Sequence, residues 1–151
     1  MSEHHRLLPQ GATYFFTVRL DQPGSTQLTD HIGALRYAYA KAVAEFPVTC
    51  HAMVVLPDHI HAIWTEPPGG VWYAERWRRI KTRFTHSIAT PDAPQTALWQ
   101  RRFQERAILD EHGFLRALDH CRQNPVKHGL VSQPAQWPYS SFTKAMTPIA
   151  A

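Results

Sequence analysis

The chain has 151 residues, 44% of them hydrophobic, and its 16 Lys and Arg against 12 Asp and Glu give a formal net charge of +4. This length predicts a single domain over 1–151, and no apolar run approaches the roughly 20 residues of a membrane span. The N-terminus lacks the apolar core of a signal peptide, and two cysteines without CxxC spacing exclude a disulfide framework. We therefore expect a cytoplasmic protein that does not contact a membrane.

Hydrophobic periodicity places the elements in the order β-α-β-β-α-β, followed by one more helix. The predicted elements, in chain order, are a strand at 14–20, a helix at 29–45, strands at 48–56 and 59–65, a helix at 71–88, a strand at about 102–108 and a helix at about 111–124. Thr29 or Asp30 is the expected N-cap of the first helix. Pro125 disfavours helical geometry at Asn124 and should end the last helix there. An extended tail is expected from about residue 130.

This order of elements is typical of an α+β fold of the ferredoxin-like, split βαβ type. We expect an antiparallel four-stranded sheet with two helices on one face. The last helix would then lie across the open face and bring its own side chains to the sheet.

The strand at 59–65 carries two histidines that are two residues apart. Because alternate side chains of a strand point to the same face, His59 and His61 should project side by side. Two imidazoles held in this way form part of a metal site, and a third ligand must come from elsewhere in the fold. Glu66, after the end of this strand, is interpreted as a cap or as a hydrogen-bond partner of a ligand.

The last predicted helix offers the third ligand. His120 and Asn124 are four residues apart and therefore share one helix face. That face lies about a quarter turn from the apolar stripe of the helix, at the edge of the buried surface. Gln123 is an alternative amide ligand, and Asn124 is favoured by its position.

A run of cations without an intervening acid occupies the predicted helix at 71–88, beside Trp72 and Trp77. A cationic surface with aromatic side chains is typical of single-stranded DNA binding. Such contacts hold phosphates without reading sequence. The candidate DNA-binding residues are Arg76, Arg78, Arg79, Lys81 and Arg83, extended by Arg101, Arg102 and Lys127, with His128 as a further candidate phosphate contact.

Three motifs give the chain a family resemblance. They are His59-Ile60-His61, the run Asn124-Pro125-Val126-Lys127-His128-Gly129-Leu130-Val131, and Trp137-Pro138-Tyr139-Ser140-Ser141-Phe142. In this order they resemble the REP-associated tyrosine transposases, relatives of the single-strand insertion-sequence transposases in the HUH endonuclease superfamily. The resemblance covers nearly the whole chain.

The resemblance implies a metal-dependent endonuclease or transposase that acts on single-stranded or hairpin DNA, as a monomer or a homodimer. It also implies one divalent cation, held by His59, His61 and Asn124, that polarises a DNA phosphate. Mg or Mn would be the working ion, and imidazole ligands also suit Ni or Zn in a crystal. In this family a tyrosine four residues before the amide ligand attacks the phosphorus.

The nucleophile position falls on residue 120, which is histidine in this chain. His120 is the candidate catalytic residue, either as a general base for water or as a nucleophile itself. As an inert replacement, it would instead mark the loss of strand transfer. A shifted alignment is disfavoured by the Asn-Pro-Val-Lys-His-Gly run, and Tyr73 and Tyr139 are candidates to replace the missing phenol.

These observations leave more than one function open. The first hypothesis is a metal-dependent nuclease that binds and nicks hairpin repeat DNA, favoured by His59, His61 and Asn124. The second is a domesticated or catalytically impaired DNA-binding protein that has lost tyrosine-mediated strand transfer, favoured by His120. An RNA-binding role on a sheet of this topology is a third alternative.

Overall fold

The computed structural model describes residues 11–143, so the end of the predicted tail lies outside the described residues. Four strands form one antiparallel sheet in the order β2-β3-β1-β4. They are β1 (Thr13–Arg19), β2 (Thr49–Val55), β3 (His59–Thr65) and β4 (Gln104–Ile108). The predicted α+β fold of the split βαβ type is confirmed, and β3 has its predicted bounds.

Helices cover both faces of this sheet. They are α1 (Gln27–Asp30), α2 (Ile32–Glu45), α3 (Tyr73–Ile88) and α4 (Glu111–Lys127), followed by a 3-10 turn at Pro134–Gln136. The helices α2 and α3 pack on one face, and α4 crosses the other, as predicted. Within residues 11–143, no helix is both long and apolar enough to cross a membrane.

Alternation along the strands creates two separate cores. Ile60, Ala62 and Trp64 of β3 belong to the core beneath α2 and α3. Ile63 points the other way and packs in a smaller core with Cys121 of α4. His59 and His61 share the face of Ile63, so α4 lies over them.

The predicted helix at 29–45 is divided in two, and its predicted N-cap is wrong. The break falls at His31, the residue between α1 and α2 (φ −117°, ψ 41°). Asp30 accepts a hydrogen bond from the Thr26 hydroxyl (2.7 Å), and the Thr29 hydroxyl donates to the Thr26 carbonyl (3.3 Å). Both side chains therefore bond backwards to the preceding turn and cannot cap the free N–H groups of α2.

The predicted end of the last helix at residue 124 is also wrong, because α4 continues through Pro125 to Lys127. Proline removes one backbone donor near the end of the helix. The residues after it complete the helix end with their own hydrogen bonds. The His128 N–H donates to the Asn124 carbonyl (3.0 Å), and the Leu130 N–H donates to the Pro125 carbonyl (2.9 Å). Pro125 itself is buried, so packing favours the extra turn.

The segment after α4 covers the outer edge of β2. The Val55 N–H donates to the Tyr139 carbonyl (2.8 Å), and the Ser141 N–H donates to the Met53 carbonyl (2.9 Å). The Trp137 indole donates to the Val55 carbonyl (2.8 Å). This pairing satisfies backbone groups that an open sheet edge would leave exposed.

We predict that neither cysteine of the folded protein reacts with iodoacetamide at pH 8. Burial raises the pKa of Cys50 to about 11 and that of Cys121 to about 12, so the reactive thiolate is scarce for both. Mass spectrometry of alkylated protein, with and without guanidinium, measures this. Labelling of both thiols only after unfolding is the expected result, and rapid native labelling of Cys121 would contradict its burial.

Candidate metal and phosphate site

His59 and His61 lie side by side on β3, as their spacing predicts. They are 4% and 3% exposed, and their ring centroids are 4.9 Å apart. In the pairing with β1, His59 is opposite Arg19 and His61 is opposite Thr17. The sheet register thus fixes both rings beneath α4.

The Nδ1 atom of each histidine already has a hydrogen-bond partner. His59 Nδ1 lies 2.7 Å from Asp58 Oδ1, and His61 Nδ1 lies 3.0 Å from Thr17 Oγ1. An ionised carboxylate only accepts, so His59 carries its proton on Nδ1. The Nε2 atom of His59 is then available for coordination, and that of His61 is available when its Nδ1 donates to the Thr17 hydroxyl, an arrangement typical of metal-ligating histidines.

The environment of the two histidines keeps them uncharged at neutral pH. Burial, followed by the charges of His59 and His120, lowers the pKa of His61 to about 2. Burial also lowers the pKa of His59, although the Asp58 carboxylate opposes that shift. A neutral imidazole is the form that binds a metal ion.

The helix α4 brings the two remaining candidate residues to these rings. The His120 ring centroid is 4.9 Å from that of His61. Asn124 Nδ2 lies 3.3 Å from His120 Nε2, and Asn124 is 3% exposed. The prediction that His120 and Asn124 share a face directed at the histidine pair agrees with this geometry.

The Asn124 side chain leaves one polar atom unsatisfied. Its Oδ1 atom is buried and has no hydrogen-bond partner among residues 11–143. A buried amide oxygen without a donor is uncommon in proteins and requires a physical explanation. A cation bound by Asn124 Oδ1 and the two Nε2 atoms would satisfy it, so the residues present fit a divalent metal ion.

Other donor sets fit less well. In the described part of the chain, no group of three His, Cys, Asp or Glu side chains could hold a metal ion, so side chains of these types alone do not complete a site around His59 and His61. The Gln123 amide, oriented with its oxygen toward Arg122, accepts from the Arg122 guanidinium (3.3 Å), although Gln123 borders a cleft beside His120. Asn124 is therefore the better third ligand.

Three further side chains surround the site; sequence reasoning placed His128 only among the candidate phosphate contacts and named neither Arg19 nor Arg106. The exposed His128 ring is 5.2 Å from the ring of His59. Arg19 lies opposite His59 in the sheet. The guanidinium of Arg106 is 5.1 Å from the centroid of Phe15, whose ring stacks on His61 at 5.4 Å.

Cations give this face of the sheet a positive potential. The charge of Arg19 helps to lower the pKa of both His59 and His61, after the larger effect of burial. Burial, then the charges of Lys127 and Arg106, lower the pKa of His120. Alternation with Thr17 along β1 could have assigned Arg19 to this face, whereas Arg106 required the register of β4.

None of the five tyrosines of the chain lies on this face of the sheet. Tyr14, Tyr39, Tyr73 and Tyr139 belong to or pack against the core beneath α2 and α3, and Tyr37 is exposed on α2. Tyr73 and Tyr139 therefore do not replace the missing phenol. His120 is the side chain at the nucleophile position, with no tyrosine beside it.

The assignment of Arg76 to a DNA-binding surface is wrong. Its side chain is fully buried, and it donates two hydrogen bonds to the Glu66 carboxylate, both of 3.0 Å. It also donates to the carbonyls of Phe46 (2.7 Å) and Pro47 (3.2 Å). Glu66 likewise has no role beside the histidines, because it lies on the α3 side of the sheet.

The other cations of α3 lie on the face opposite the histidines. Arg79 and Arg83 both pair with Glu45 (3.2 and 2.6 Å). Arg78 pairs with Glu75, at 3.0 Å from its Nε atom. The sequence between residues 76 and 83 contains no acid, but the fold supplies acids from α2 and from the preceding turn of α3.

Three comparisons relate this chain to known proteins. A REP-associated tyrosine transposase of Escherichia coli K12 is 42% identical over 142 residues, which cover 94% of this chain and 83% of that protein. A relative from Haemophilus influenzae is 36% identical over 151 residues, covering 94% of this chain and 86% of the relative. The solved structure of a REP-associated tyrosine transposase bound to a REP hairpin is 39% identical, with a TM-score of 0.82, and covers 94% of this chain and 86% of its own. No protein-family model matches the chain.

Proposed function

The chain belongs to the REP-associated tyrosine transposase family, and from that premise we propose that it is a divalent-metal-dependent nuclease that binds hairpin repeat DNA and nicks one strand. The hairpin is proposed by analogy with the solved relative, which is bound to a REP hairpin. The observation that carries the nuclease proposal is the buried Oδ1 atom of Asn124, which has no partner in the described part of the chain and lies on α4 above two neutral histidines. Such a donor set is consistent with Mn or Mg as the working ion.

Each residue of the site has a distinct task in this proposal. His59, His61 and Asn124 would hold the metal ion, which when bound acts as a Lewis acid toward a phosphate oxygen. Asp58 and Thr17 orient the two imidazoles through Nδ1. Arg19, Arg106 and Lys127 supply positive charge to the same face and would attract the DNA backbone.

His120 acts as the general base in the proposed reaction, after its Nε2 atom exchanges the hydrogen bond from Asn124 Nδ2 for one from water. It accepts a proton from water, the water oxygen forms a bond to phosphorus, and the bond from phosphorus to the leaving ribose oxygen breaks. The leaving oxygen takes a proton from solvent. His120 contacts both His61 and Asn124. The proposed base and the proposed metal ligands therefore all come from the same chain.

The proposed DNA-binding surface consists of those predicted cations that are available to contact phosphate groups. Lys81, Arg101 and Arg102 lie on the α3 face, and Lys127 lies near the histidine site. Arg78 contributes less because it pairs with Glu75. Arg79 and Arg83 contribute less because Glu45 neutralises part of their charge.

Restoring the phenol tests whether the site handles a scissile phosphate. We predict that His120→Tyr forms a covalent protein–DNA adduct with a single-stranded hairpin and Mn²⁺, because a tyrosine oxygen would occupy the position of the proposed base. Wild-type protein should release nicked DNA with no adduct. A denaturing gel with labelled DNA separates the two products, and His120→Phe is the matched control without a hydroxyl.

The second candidate function, DNA binding without cleavage, is favoured by the loss of tyrosine at position 120. It predicts that wild-type protein binds the hairpin but nicks it with none of Mg²⁺, Mn²⁺, Ni²⁺ or Zn²⁺. That result would reject the nuclease. Absence of an adduct with His120→Tyr would also argue against the proposed assignment of the site.

A further inference from the structure

A cleft separates α3 from the segment that leads into β4, on the sheet face opposite the histidines. Its volume is about 790 Å³. The residues that matter for its chemistry are the cations Arg78, Lys81, Arg101 and Arg102 and the aromatic side chains Trp99 and Phe103. We call this cleft the α3 groove.

The aromatic wall of the α3 groove is held in place. The Trp99 indole donates to Thr85 Oγ1 (2.9 Å), which anchors its ring to α3. Lys81 Nζ lies 5.9 Å from the Trp99 ring centroid and donates to the Gln100 carbonyl (3.4 Å). Phe103 packs edge-on against Tyr73, with centroids 6.1 Å apart. Both rings are only partly buried, so each still offers a surface to a ligand.

The charge of the α3 groove favours an anion. Arg101 and Arg102 are exposed, and no acidic partner is found for either within residues 11–143. Glu105 is the one acid among the described lining residues. Stacked bases with their phosphates on a cationic rim are the ligand that such a surface recognises.

The edge strand β4 connects the α3 groove to the histidine site. Glu105 lines the groove, whereas Arg106, the next residue, lies over Phe15 on the histidine face. A path between the two faces must turn around this edge within a few residues. Duplex DNA resists so sharp a bend, whereas an unpaired strand is flexible.

We propose that the α3 groove binds an unpaired DNA strand, with bases against Trp99 and Phe103 and phosphates on Lys81, Arg101 and Arg102. The strand then passes over β4, along Arg106, to the histidine site. The inference rests on the proposed function in taking DNA as the ligand and the histidine site as the end of the path. It assigns the groove to the single-stranded part of the substrate and excludes the duplex stem.

The test measures binding without cleavage. A fluorescein-labelled 12-mer of deoxythymidine is titrated with full-length protein in EDTA, and anisotropy gives the Kd. Arg101→Gln/Arg102→Gln should weaken binding about tenfold or more, and should make the salt dependence shallower by about 0.7 for each phosphate that the variant no longer neutralises. The matched control, Arg36→Gln/Lys41→Gln, removes the same charge from α2 and should stay within about twofold of wild type.

Two further probes separate stacking from charge alone. An abasic 12-mer keeps the phosphates but removes the bases, and should bind about tenfold more weakly, since base–aromatic stacking supplies that much or more per base. A duplex of the same length should also bind more weakly than the single strand. Equal affinity for the abasic strand or for the duplex would overturn the proposal.

Other outcomes distinguish this inference from the proposed nuclease. If the arginine double variant binds as well as the α2 control, the α3 groove is not the strand site, whether or not the protein nicks DNA. Loss of binding in that variant alone, with no nicking by wild type, would support the groove and reject the nuclease. Binding of a uridine oligoribonucleotide at least about tenfold more tightly than the DNA 12-mer would overturn DNA as the ligand.

Discussion

Replacing His61 with alanine is expected to lower metal-dependent nicking at least about 100-fold while the sheet stays folded. In the proposed site His61 provides one of the two Nε2 donors, and without it the donors left are His59 and Asn124. We expect isothermal titration of Mn²⁺ to show the same loss as single-turnover nicking, because both depend on the three donors. Circular dichroism would establish that the variant is folded.

Two control variants separate coordination from general damage to the protein. His112→Ala removes an exposed histidine at the start of α4 and should change neither metal binding nor cleavage. Thr17→Val removes the hydroxyl that contacts His61 Nδ1 and should cost roughly 10- to 100-fold in metal affinity. Nicking by His61→Ala at the wild-type rate would show that the histidine pair is not the chemical site.

Replacing Arg76 with methionine is expected to destabilise the protein by about 3–5 kcal/mol, because it leaves the Glu66 carboxylate buried without its partner. Both side chains are 0% exposed, and the guanidinium also lies 4.9 Å from the Trp64 ring. Glu66→Gln should have a similar effect through an uncompensated guanidinium. Guanidinium chloride denaturation, monitored by tryptophan fluorescence, gives the change in the free energy of unfolding.

The neighbouring Arg78 offers a matched control for this second prediction. Its side chain is 62% exposed, so Arg78→Gln should change stability by less than about 0.5 kcal/mol. The double variant Arg76→Met/Glu66→Leu should recover part of the loss by removing both charges. Full recovery is not expected, because the carbonyls of Phe46 and Pro47 would still lose their donor. If Arg76→Met has near-wild-type stability and binds DNA more weakly, the original assignment of Arg76 to the DNA-binding surface would be supported instead.

His61 and Arg76 differ in how much of their environment the local sequence pattern predicts. The two-residue spacing of His59 and His61 sets their common side through the geometry of a strand, which requires no knowledge of the rest of the fold. Arg76 instead depends on Glu66 and on two carbonyls before β2, and these groups meet it only after the sheet and α3 have packed. A cation on a helix looks the same in sequence whether it faces water or a buried carboxylate.

The end of α4 illustrates the same limit at the level of the backbone. Proline lowers the local preference for helix at residue 124, which favoured an earlier end. Burial of Pro125 and the hydrogen bonds from His128 and Leu130 outweigh that preference. Helix propensity is a weak preference that tertiary packing often overrides. At Pro125, packing outweighs both the unfavourable propensity and the single lost hydrogen bond.

By itself, the sequence determined the order of elements, the split βαβ class, the paired histidines and the absence of tyrosine at position 120. These features follow from the period of a strand or helix and from motifs along the chain. Only the tertiary structure decided that Arg106 joins the histidines and that the cations of α3 lie on the opposite face. The reason is the pairing of β1 between β3 and β4, because strand register brings together side chains that no local spacing relates.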